Sequence, residues 1–238
     1  MEKPWKLMVE NKKFTSNKVI IFGTGQIAEE VANYLRLDSK YEVIAFTVDK
    51  KYMKKKTFMK KPVISFEKIV QKLNPKNYVM FVAIGYTNLN QLRYEKILAA
   101  KKKGYKLISY VSSRATVMGS QKIKENSLIL ENTTIQTTAE LGSNIFIWSN
   151  NLIGHHVKIK NNSYIAGNST IAGSSILGEF SFMGINSCIT HGVKIGKSCF
   201  VGANAFVNKD MQSKSISISE ASKVFKINNT DIIKKIIK

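Results

Sequence analysis

The three histidines are the side chains of this chain best suited to acid–base chemistry. His155 and His191 stand two 18-residue intervals apart, Gly173 occupies the midpoint, and His156 directly follows His155. Histidine is a common proton acceptor because its charge changes near neutral pH. A fold that repeats every 18 residues would stack His155, Gly173 and His191 in one column, so the repeat pattern of the chain decides what these residues can do.

An aliphatic side chain recurs at every sixth position from Val117 to Val207 without a slip. A small residue usually stands four positions after it, and Gly often follows it directly. This hexapeptide pattern is typical of a parallel β-helix, in which three flat sides of six residues make one coil of 18. We expect these side chains to fill the coil and Gly to relieve the backbone at its bends. The sixteen positions are Val117, Ile123, Ile129, Ile135, Leu141, Ile147, Ile153, Ile159, Ile165, Ile171, Leu177, Met183, Ile189, Ile195, Val201 and Val207.

The regular period favours a left-handed coil, because right-handed β-helices have coils of irregular length. Since each coil rises by about one strand spacing, His155 and His191 are expected about 9 to 10 Å apart on the same edge. Incidental surface histidines remain the alternative interpretation of this column.

The segment from residue 18 to about 109 alternates between strand and helix patterns. We predict a small parallel sheet with crossover helices, followed at Lys106 to Ser109 by entry into the coil. The predicted strands span 19–22, 43–48 and 78–84, and the predicted helices run from residue 23 to about 37 and from about 89 to 103.

A glycine-rich turn follows the first predicted strand. Gly23 and Gly25 allow a tight turn whose N–H groups, with the helix start, favour a phosphate. Asp49 ends the second strand, where an acidic residue commonly binds a ribose or a base. The glycines could instead serve only close packing of strand and helix. A dehydrogenase is disfavoured, since the second half of a dinucleotide-binding domain is missing.

Composition sets weaker bounds on function. The formal net charge is +21, but only three of the 37 basic residues are arginine and the lysines are spread over the chain. A general bias of composition toward lysine would account for this charge. Alternatively, the positive charge serves to concentrate anionic small molecules near the protein. Nucleic-acid binding is not expected. We find neither an 18-residue apolar run nor a secretory signal, so we expect a cytoplasmic protein without a membrane span. Cys188 and Cys199 are expected to remain unpaired.

The two-part arrangement resembles the bacterial sugar acyltransferases of the hexapeptide-repeat superfamily, in the group of nucleotide-sugar N-acetyltransferases and sialic acid O-acetyltransferase-like proteins. The resemblance implies a Rossmann-like sheet followed by a left-handed β-helix, and a homotrimer that binds a nucleotide-linked sugar in the N-terminal domain and acetyl-CoA between neighbouring coils. It rests on residues 19–26, 44–49, 82–85, 113–117, 153–159 and 221–224 and on the hexads. The domains implied are an extension (1–17), a nucleotide-sugar-binding domain (18–109), the β-helix (110–212), and a closing loop with a C-terminal helix (213–238).

The resemblance also implies roles for individual residues. His155 would be the general base and the Gly173 N–H would contact the thioester oxygen. His156 stands where relatives often have an acidic residue that fixes the tautomer of the base, and Tyr164 stands where they commonly have a second histidine. The acetyl-CoA contacts implied are Gly173, Ile185 and Ala203, and the substrate contacts are Gly23, Thr24, Gly25, Gln26, Asp49, Lys50, Gly85 and Tyr164.

The resulting expectation is acetyl transfer from acetyl-CoA to the amino group of a nucleotide-linked amino sugar in surface-glycan biosynthesis, without a metal. O-acetylation of a sugar hydroxyl, a catalytically inactive scaffold and, more remotely, a zinc enzyme of the gamma-carbonic-anhydrase type are the alternatives. The zinc site would lack a ligand, since Gly196 stands in the third position. For the trimer, we expect exposed apolar ridges near Ile145, Phe146, Phe180 and Phe182.

Overall fold

The computed structural model describes residues 16–119 and 122–222, and the structural statements below concern these residues. The predicted N-terminal extension up to residue 15 and the predicted C-terminal helix lie outside them, as does part of the predicted closing loop. The described chain forms an α/β domain followed by a left-handed parallel β-helix. Within these ranges no helix is both long enough and apolar enough to cross a membrane.

The α/β domain is a six-stranded sheet in the order β3-β4-β2-β1-β5-β6, parallel except for the β3–β4 hairpin. The prediction of a parallel sheet with crossover helices is confirmed. The hairpin was not predicted, because β3 has only two residues and β4 begins with Lys61 and Pro62, which are uncommon in strands. The strands are β1 Lys18–Phe22, β2 Glu42–Val48, β3 Thr57–Phe58, β4 Lys61–Ser65, β5 Val79–Val82 and β6 Lys106–Leu107; the helices are α1 Gln26–Asp38, α2 Ile69–Lys72 and α3 Gln91–Lys102, with short 3₁₀ turns at Lys50–Tyr52 and Phe66–Lys68.

Strand β1 is apolar at four successive positions because both faces of the sheet are covered. Ile20 and Phe22 pack in a cluster that includes residues of α3, whereas Val19 and Ile21 pack in a second cluster with α1. The second cluster continues into the β-helix, so the two parts of the chain share a core.

The β-helix has three faces. Each strand from Tyr110–Val111 to Cys188–Ile189 pairs with the strand 18 residues further on, and the last pairing, of Phe200 with Ile216, spans 16 residues. All sixteen hexad residues are buried in one core, which confirms the predicted repeat. The junction face, against the α/β domain, contains β7 Tyr110–Val111, β9 Leu128–Ile129, β12 Phe146–Ile147, β15 Tyr164–Ile165, β18 Phe182–Met183, β21 Phe200–Val201 and β23 Ile216–Ser217. The uncharged face contains β8 Thr116–Val117, β10 Thr134–Ile135, β13 Leu152–Ile153, β16 Thr170–Ile171, β19 Cys188–Ile189 and β22 Phe206–Val207. The charged face contains β11 Glu140–Leu141, β14 Lys158–Ile159, β17 Ile176–Leu177 and β20 Lys194–Ile195.

The bends of the coil are made mainly by asparagine, so the expectation that Gly relieves them was wrong. A residue with positive φ recurs every six positions from Asn126 to Asn204, and Gly192 is the one glycine in that series. Asparagine tolerates this left-handed conformation better than most residues. Glycines such as Gly154 instead let successive coils approach, because a Cβ there would lie 2.7 Å from the amide nitrogen of Gly173.

The predicted exposed ridges are absent from the described surface. Ile145 points into the coil, Phe146 is fully buried, and Phe182 is 7% exposed because the α/β domain covers the junction face. Phe180 is half-buried at a bend, edge-on to Tyr94 at 5.5 Å. Exposed apolar side chains lie elsewhere, on the uncharged face: Leu152 is 38% and Phe206 is 64% exposed. Cys188 and Cys199 are both free.

Candidate active site

The bend between the uncharged and the charged face carries the histidines, and we call it the histidine corner (His155, His156, Gly173 and His191). The ring of His155 lies over Gly173, where a Cβ would come within 2.6 Å of His155 Nε2. The ring centroids of His155 and His191 are 6.1 Å apart. This is closer than the backbone spacing predicts, because Gly173 between them has no side chain.

The two adjacent histidines are linked through their Nδ1 atoms, which are 3.0 Å apart. Such a bond requires one ring to donate, and when His155 donates, its Nε2 keeps a free electron pair. The preceding coil anchors both residues: the His155 N–H donates to Gln136 Oε1 at 2.9 Å and the His156 N–H to Thr138 Oγ1 at 3.1 Å. In that tautomer, the nitrogen that lies over Gly173 is the unprotonated one.

His156 is itself a bend residue, with φ of 57°. The residue type at the fourth position of each hexad, which forms the bend, distinguishes the histidine corner from the other bends. Sequence reasoning missed this signal. At the bend between the junction and uncharged faces this position is always asparagine, whereas at the histidine corner it is not. The two series are Asn132, Asn150, Asn168, Asn186 and Asn204, and Thr138, His156, Ser174 and Gly192.

The N–H of Gly173 is buried and has no acceptor among the residues described. In the preceding coil the equivalent N–H, that of His155, is bonded to the side chain of Gln136. One coil later the place of Gln136 is taken by Gly154, which has no side chain to accept. Because an unpaired buried N–H is costly, this group is suited to binding an oxygen that develops negative charge.

Ile185 and Ala203 do not lie at the histidine corner. Both are exposed at the asparagine bend, on the opposite edge of the uncharged face. The carbonyl of Ile185 accepts from the Asn204 N–H at 2.9 Å, and that of Ala203 accepts from Ser219 Oγ at 2.8 Å. The residues expected to contact acetyl-CoA thus border one face from both sides.

The glycine-rich turn lies at the carboxyl end of β1, and its two glycines differ. Gly23 has φ of 130°, and a Cβ there would lie 2.9 Å from the carbonyl oxygen of Ala83. Close packing therefore explains Gly23. Gly25 precedes α1, and a Cβ there would meet nothing within 4 Å, so packing does not explain it. Thr24 lines a neighbouring cavity of about 170 Å³.

That cavity was missed by sequence reasoning because the β3–β4 hairpin forms one of its walls. It is lined by Val48, Tyr52, Met53 and Phe58 together with Lys54, among others. It offers apolar surface and a positive charge beside the glycine-rich turn.

Asp49 and Lys50 follow β2 and already have partners. Asp49 Oδ2 lies 2.6 Å from Lys96 Nζ on α3, with both side chains largely buried. The Lys50 N–H donates to both carboxylate oxygens of Glu67 at 3.0 Å and holds the pKa of Glu67 below its usual range. A ligand of Asp49 would therefore also meet Lys96, which sequence reasoning did not identify.

Tyr164 and Gly85 meet at the junction of the two domains. The Tyr164 ring is 5% exposed and lies 5.1 Å from that of Tyr86, the residue after Gly85. Burial raises the pKa of Tyr164 to about 12, so it remains protonated at neutral pH. Tyr164 and His155 lie on different parts of the coil, so one chain does not unite all the predicted site residues.

These features define the class of fold: a Rossmann-like α/β domain joined to a left-handed β-helix with a histidine pair at one corner. The family model described as PglD N-terminal domain matches residues 18–97. No curated protein gives a significant sequence match.

Solved structures extend the likeness over most of the chain. The acetyltransferase domain of PglB from Neisseria gonorrhoeae FA1090 is 21% identical with a TM-score of 0.75, covering 84% of this chain and 95% of that one. PerB from Caulobacter crescentus, solved with CoA and GDP-perosamine, is 24% identical with a TM-score of 0.75, covering 84% and 92%. WeeI from Acinetobacter baumannii AYE is 20% identical with a TM-score of 0.73, covering 85% and 96%. At these identities the likeness establishes the fold.

In the described part of the chain, no three His, Cys, Asp or Glu side chains are grouped so that they could hold a metal ion.

Proposed function

We propose that this protein transfers the acetyl group of acetyl-CoA to the amino group of a nucleotide-linked amino sugar, with His155 as the general base. The observation that carries the proposal is the His155 ring, bonded to His156 through Nδ1 and lying over Gly173. Support also comes from structures of similar fold: PglB was solved with acetyl coenzyme A, and PerB with CoA and GDP-perosamine.

In this mechanism the sugar nitrogen attacks the thioester carbonyl while His155 Nε2 takes a proton from it. The C–N bond forms, and the negative charge on the carbonyl oxygen is stabilised by the Gly173 N–H. Collapse of the tetrahedral intermediate breaks the C–S bond, and the proton held by His155 passes to the leaving sulfur. His156 Nδ1 accepts a hydrogen bond from the Nδ1–H of His155, so the proton of His155 stays on Nδ1 and Nε2 is available as the base.

The N-terminal domain would bind the nucleotide part of the acceptor. The diphosphate would lie at the start of α1, where Gly25 leaves room and free N–H groups favour an anion. Asp49 and Lys96 would contact the ribose or a phosphate, and the cavity beside Thr24 would take the base.

We further propose a homotrimer. The uncharged face exposes Leu152 and Phe206, and a neighbouring copy would cover them. Tyr164 lies beside the α/β domain of its own chain, whereas the histidine corner lies on another part of the coil. The acceptor bound to the α/β domain of a neighbouring copy would therefore be the one that reaches His155. Ile185 and Ala203, at the other edge of the uncharged face, would hold the pantetheine arm of acetyl-CoA. The reaction would take place in the cytoplasm and supply surface-glycan biosynthesis.

The direct test incubates the purified chain with acetyl-CoA and UDP-, dTDP-, GDP- and CMP-linked amino sugars, and follows free CoA thiol and product mass. We expect one nucleotide class to give a monoacetylated sugar that hydroxylamine does not cleave, as an amide requires. A hydroxylamine-sensitive product would show O-acetylation instead. Absence of acetylated product with every acceptor would contradict the proposal.

A further inference from the structure

Arg93 on α3 is fully buried and joins the two domains. Its guanidinium donates five hydrogen bonds, to acceptors on the loop after β5 and on the bends of the β-helix. The bonds run from Nε to Asn144 Oδ1 (2.7 Å), from Nη1 to the carbonyls of Ile84 (3.2 Å) and Gly85 (3.3 Å), and from Nη2 to the carbonyls of Asn144 (3.2 Å) and Ser163 (3.4 Å).

Among the described residues, no carboxylate forms an ion pair with Arg93. Its acceptors are four main-chain carbonyls and one amide oxygen, and its guanidinium carbon lies 4.0 Å from the centroid of the Phe146 ring. Burial lowers the pKa of Arg93 to about 9, so the group is still charged at neutral pH. A buried charge is costly unless it is fully hydrogen-bonded. A charged residue at this site therefore indicates a specific role for it.

Arginine is rare in this chain, which suggests that this position requires arginine specifically. Arginine provides three of the 37 basic residues, and one of the three is this buried one. Lysine could not replace it, because an ammonium has three donors on a compact centre, whereas a guanidinium presents five in a planar fork.

Arg93 fixes the direction of two successive peptide units. In a trans peptide the N–H points opposite to the C=O. Because the carbonyls of Ile84 and Gly85 point towards Arg93, the N–H groups of Gly85 and Tyr86 must point away from it. Neither N–H has an acceptor among the residues that the structure covers. Gly85 also lies beside the first turn of α1, since a Cβ on it would come within 2.8 Å of Ile27 Cδ1.

The loop that carries these amides is strained. Asn88, Leu89 and Asn90 have φ of 50°, 47° and 69°, a left-handed run that costs energy, above all at Leu89. Asn90 is fully buried, and its Nδ2 reaches the carbonyl of Ser181 at 3.5 Å. Such a loop keeps its shape only when its surroundings hold it.

We propose that Arg93 is a positioning residue of the acceptor site: it turns the loop so that the N–H groups of Gly85 and Tyr86 bind an oxygen of the nucleotide sugar. The inference rests on the proposed function, because it takes the crevice beside α1 as the acceptor site. Arg93 itself does not touch the acceptor. It makes the docking of the α/β domain on the coil a condition for acceptor binding.

The test compares Arg93→Lys and the milder Asn144→Ser, which removes the acceptor of Arg93 Nε. Serine already occupies the same bend at Ser198 and another bend at Ser174, so the coil should tolerate this change. Asn162→Ser is the matched control, because Asn162 bonds to Asn144 but not to Arg93. The acceptor is the nucleotide amino sugar that the wild-type chain acetylates best.

We expect Asn144→Ser to raise the KM for the nucleotide sugar about tenfold and Arg93→Lys to raise it more, since charged hydrogen bonds are lost. The KM for acetyl-CoA should stay within about twofold, and Asn162→Ser should leave both constants near wild type. A normal sugar KM in Asn144→Ser, or an equal rise for both substrates, overturns the proposal. If Arg93→Lys does not fold, the KM values of Asn144→Ser alone decide whether the proposal holds.

A ligand-free readout separates this inference from the proposed function. The N–H groups of Asn90 and Gln91 are bonded to the carbonyls of Tyr86 and Asn88 within the loop. We expect these amides to exchange with deuterium about tenfold faster in Asn144→Ser than in Asn162→Ser, because the loop has lost its anchor. Equal rates would overturn the positioning role, whether or not the wild-type chain acetylates a sugar.

Discussion

His155 and His156 share a hydrogen bond between their Nδ1 atoms, which are 3.0 Å apart, and His156 has the left-handed backbone that asparagine adopts at the other bends of the coil. An imidazole thus stands where a carboxylate would ordinarily orient a catalytic histidine. His156 must satisfy two demands, a left-handed backbone and an acceptor for the Nδ1 proton of His155, and these can be separated by mutation.

Replacement of His156 by asparagine tests this division. Asn is the bend residue at Asn150 and Asn168, so His156→Asn should leave the melting temperature unchanged. The turnover number should fall about tenfold, less than for loss of the base, because the tautomer of His155 is no longer fixed. Steady-state kinetics and thermal unfolding measure the two effects. A fully active variant would show that His156 serves only the bend.

Replacement of the two glycines in the turn after β1 should have different effects, on stability for Gly23 and on binding for Gly25. Gly23→Ala should destabilise the α/β domain by about 1 to 3 kcal/mol, because of its positive φ and the nearby Ala83 carbonyl. Gly25→Val should leave stability near wild type but abolish binding of the nucleotide sugar, since the side chain would fill the space for phosphate. Calorimetry with the sugar and with CoA separates these outcomes. Normal sugar binding by Gly25→Val would remove the turn from the acceptor site.

The contact between Asp38 and the start of the coil should make stability depend on pH. Asp38 accepts hydrogen bonds from Tyr110 Oη at 2.7 Å and from the Ser113 N–H at 2.6 Å. Burial alone would raise the pKa of Asp38, but these bonds and one from Ser112 outweigh it and lower the pKa.

A lowered folded-state pKa contributes stability that is present above the unfolded value of about 3.9 and is lost as the pH falls through the folded value. The free energy of unfolding should therefore decrease between about pH 5 and pH 3. In Asp38→Asn that decrease should be smaller, and urea unfolding at several pH values measures it. An identical pH dependence in both proteins would contradict this role.

Much of this architecture could be predicted from the sequence because its signals are local. The sixteen hexad residues each pack inward, so a period of six specified the coil and the column of His155, Gly173 and His191. The junction could not be predicted in this way. Phe146 and Phe182 point outward from the coil like exposed residues, and only the docking of a separate domain buries them. The role of Arg93 could not be predicted either, because four of its five acceptors are main-chain carbonyls, which carry no sequence signal.

The proposed trimer can be tested on the uncharged face. Leu152→Lys and Phe206→Lys should convert a trimer to a monomer, because each places a charge in the expected interface. Ile176→Lys is the matched control, since Ile176 is flanked by Lys158 and Lys194 on the charged face. Light scattering measures the mass. A wild-type monomer at micromolar concentration would contradict both the trimer and the shared site.

The most direct test of the central claim is the turnover number of His155→Ala with acetyl-CoA and the best nucleotide amino sugar, measured together with its acetyl-CoA affinity. We predict a fall of about 10²- to 10⁴-fold in kcat with little change in acetyl-CoA binding, since a general base contributes that much. Retention of more than about a tenth of the wild-type rate would contradict His155 as the general base.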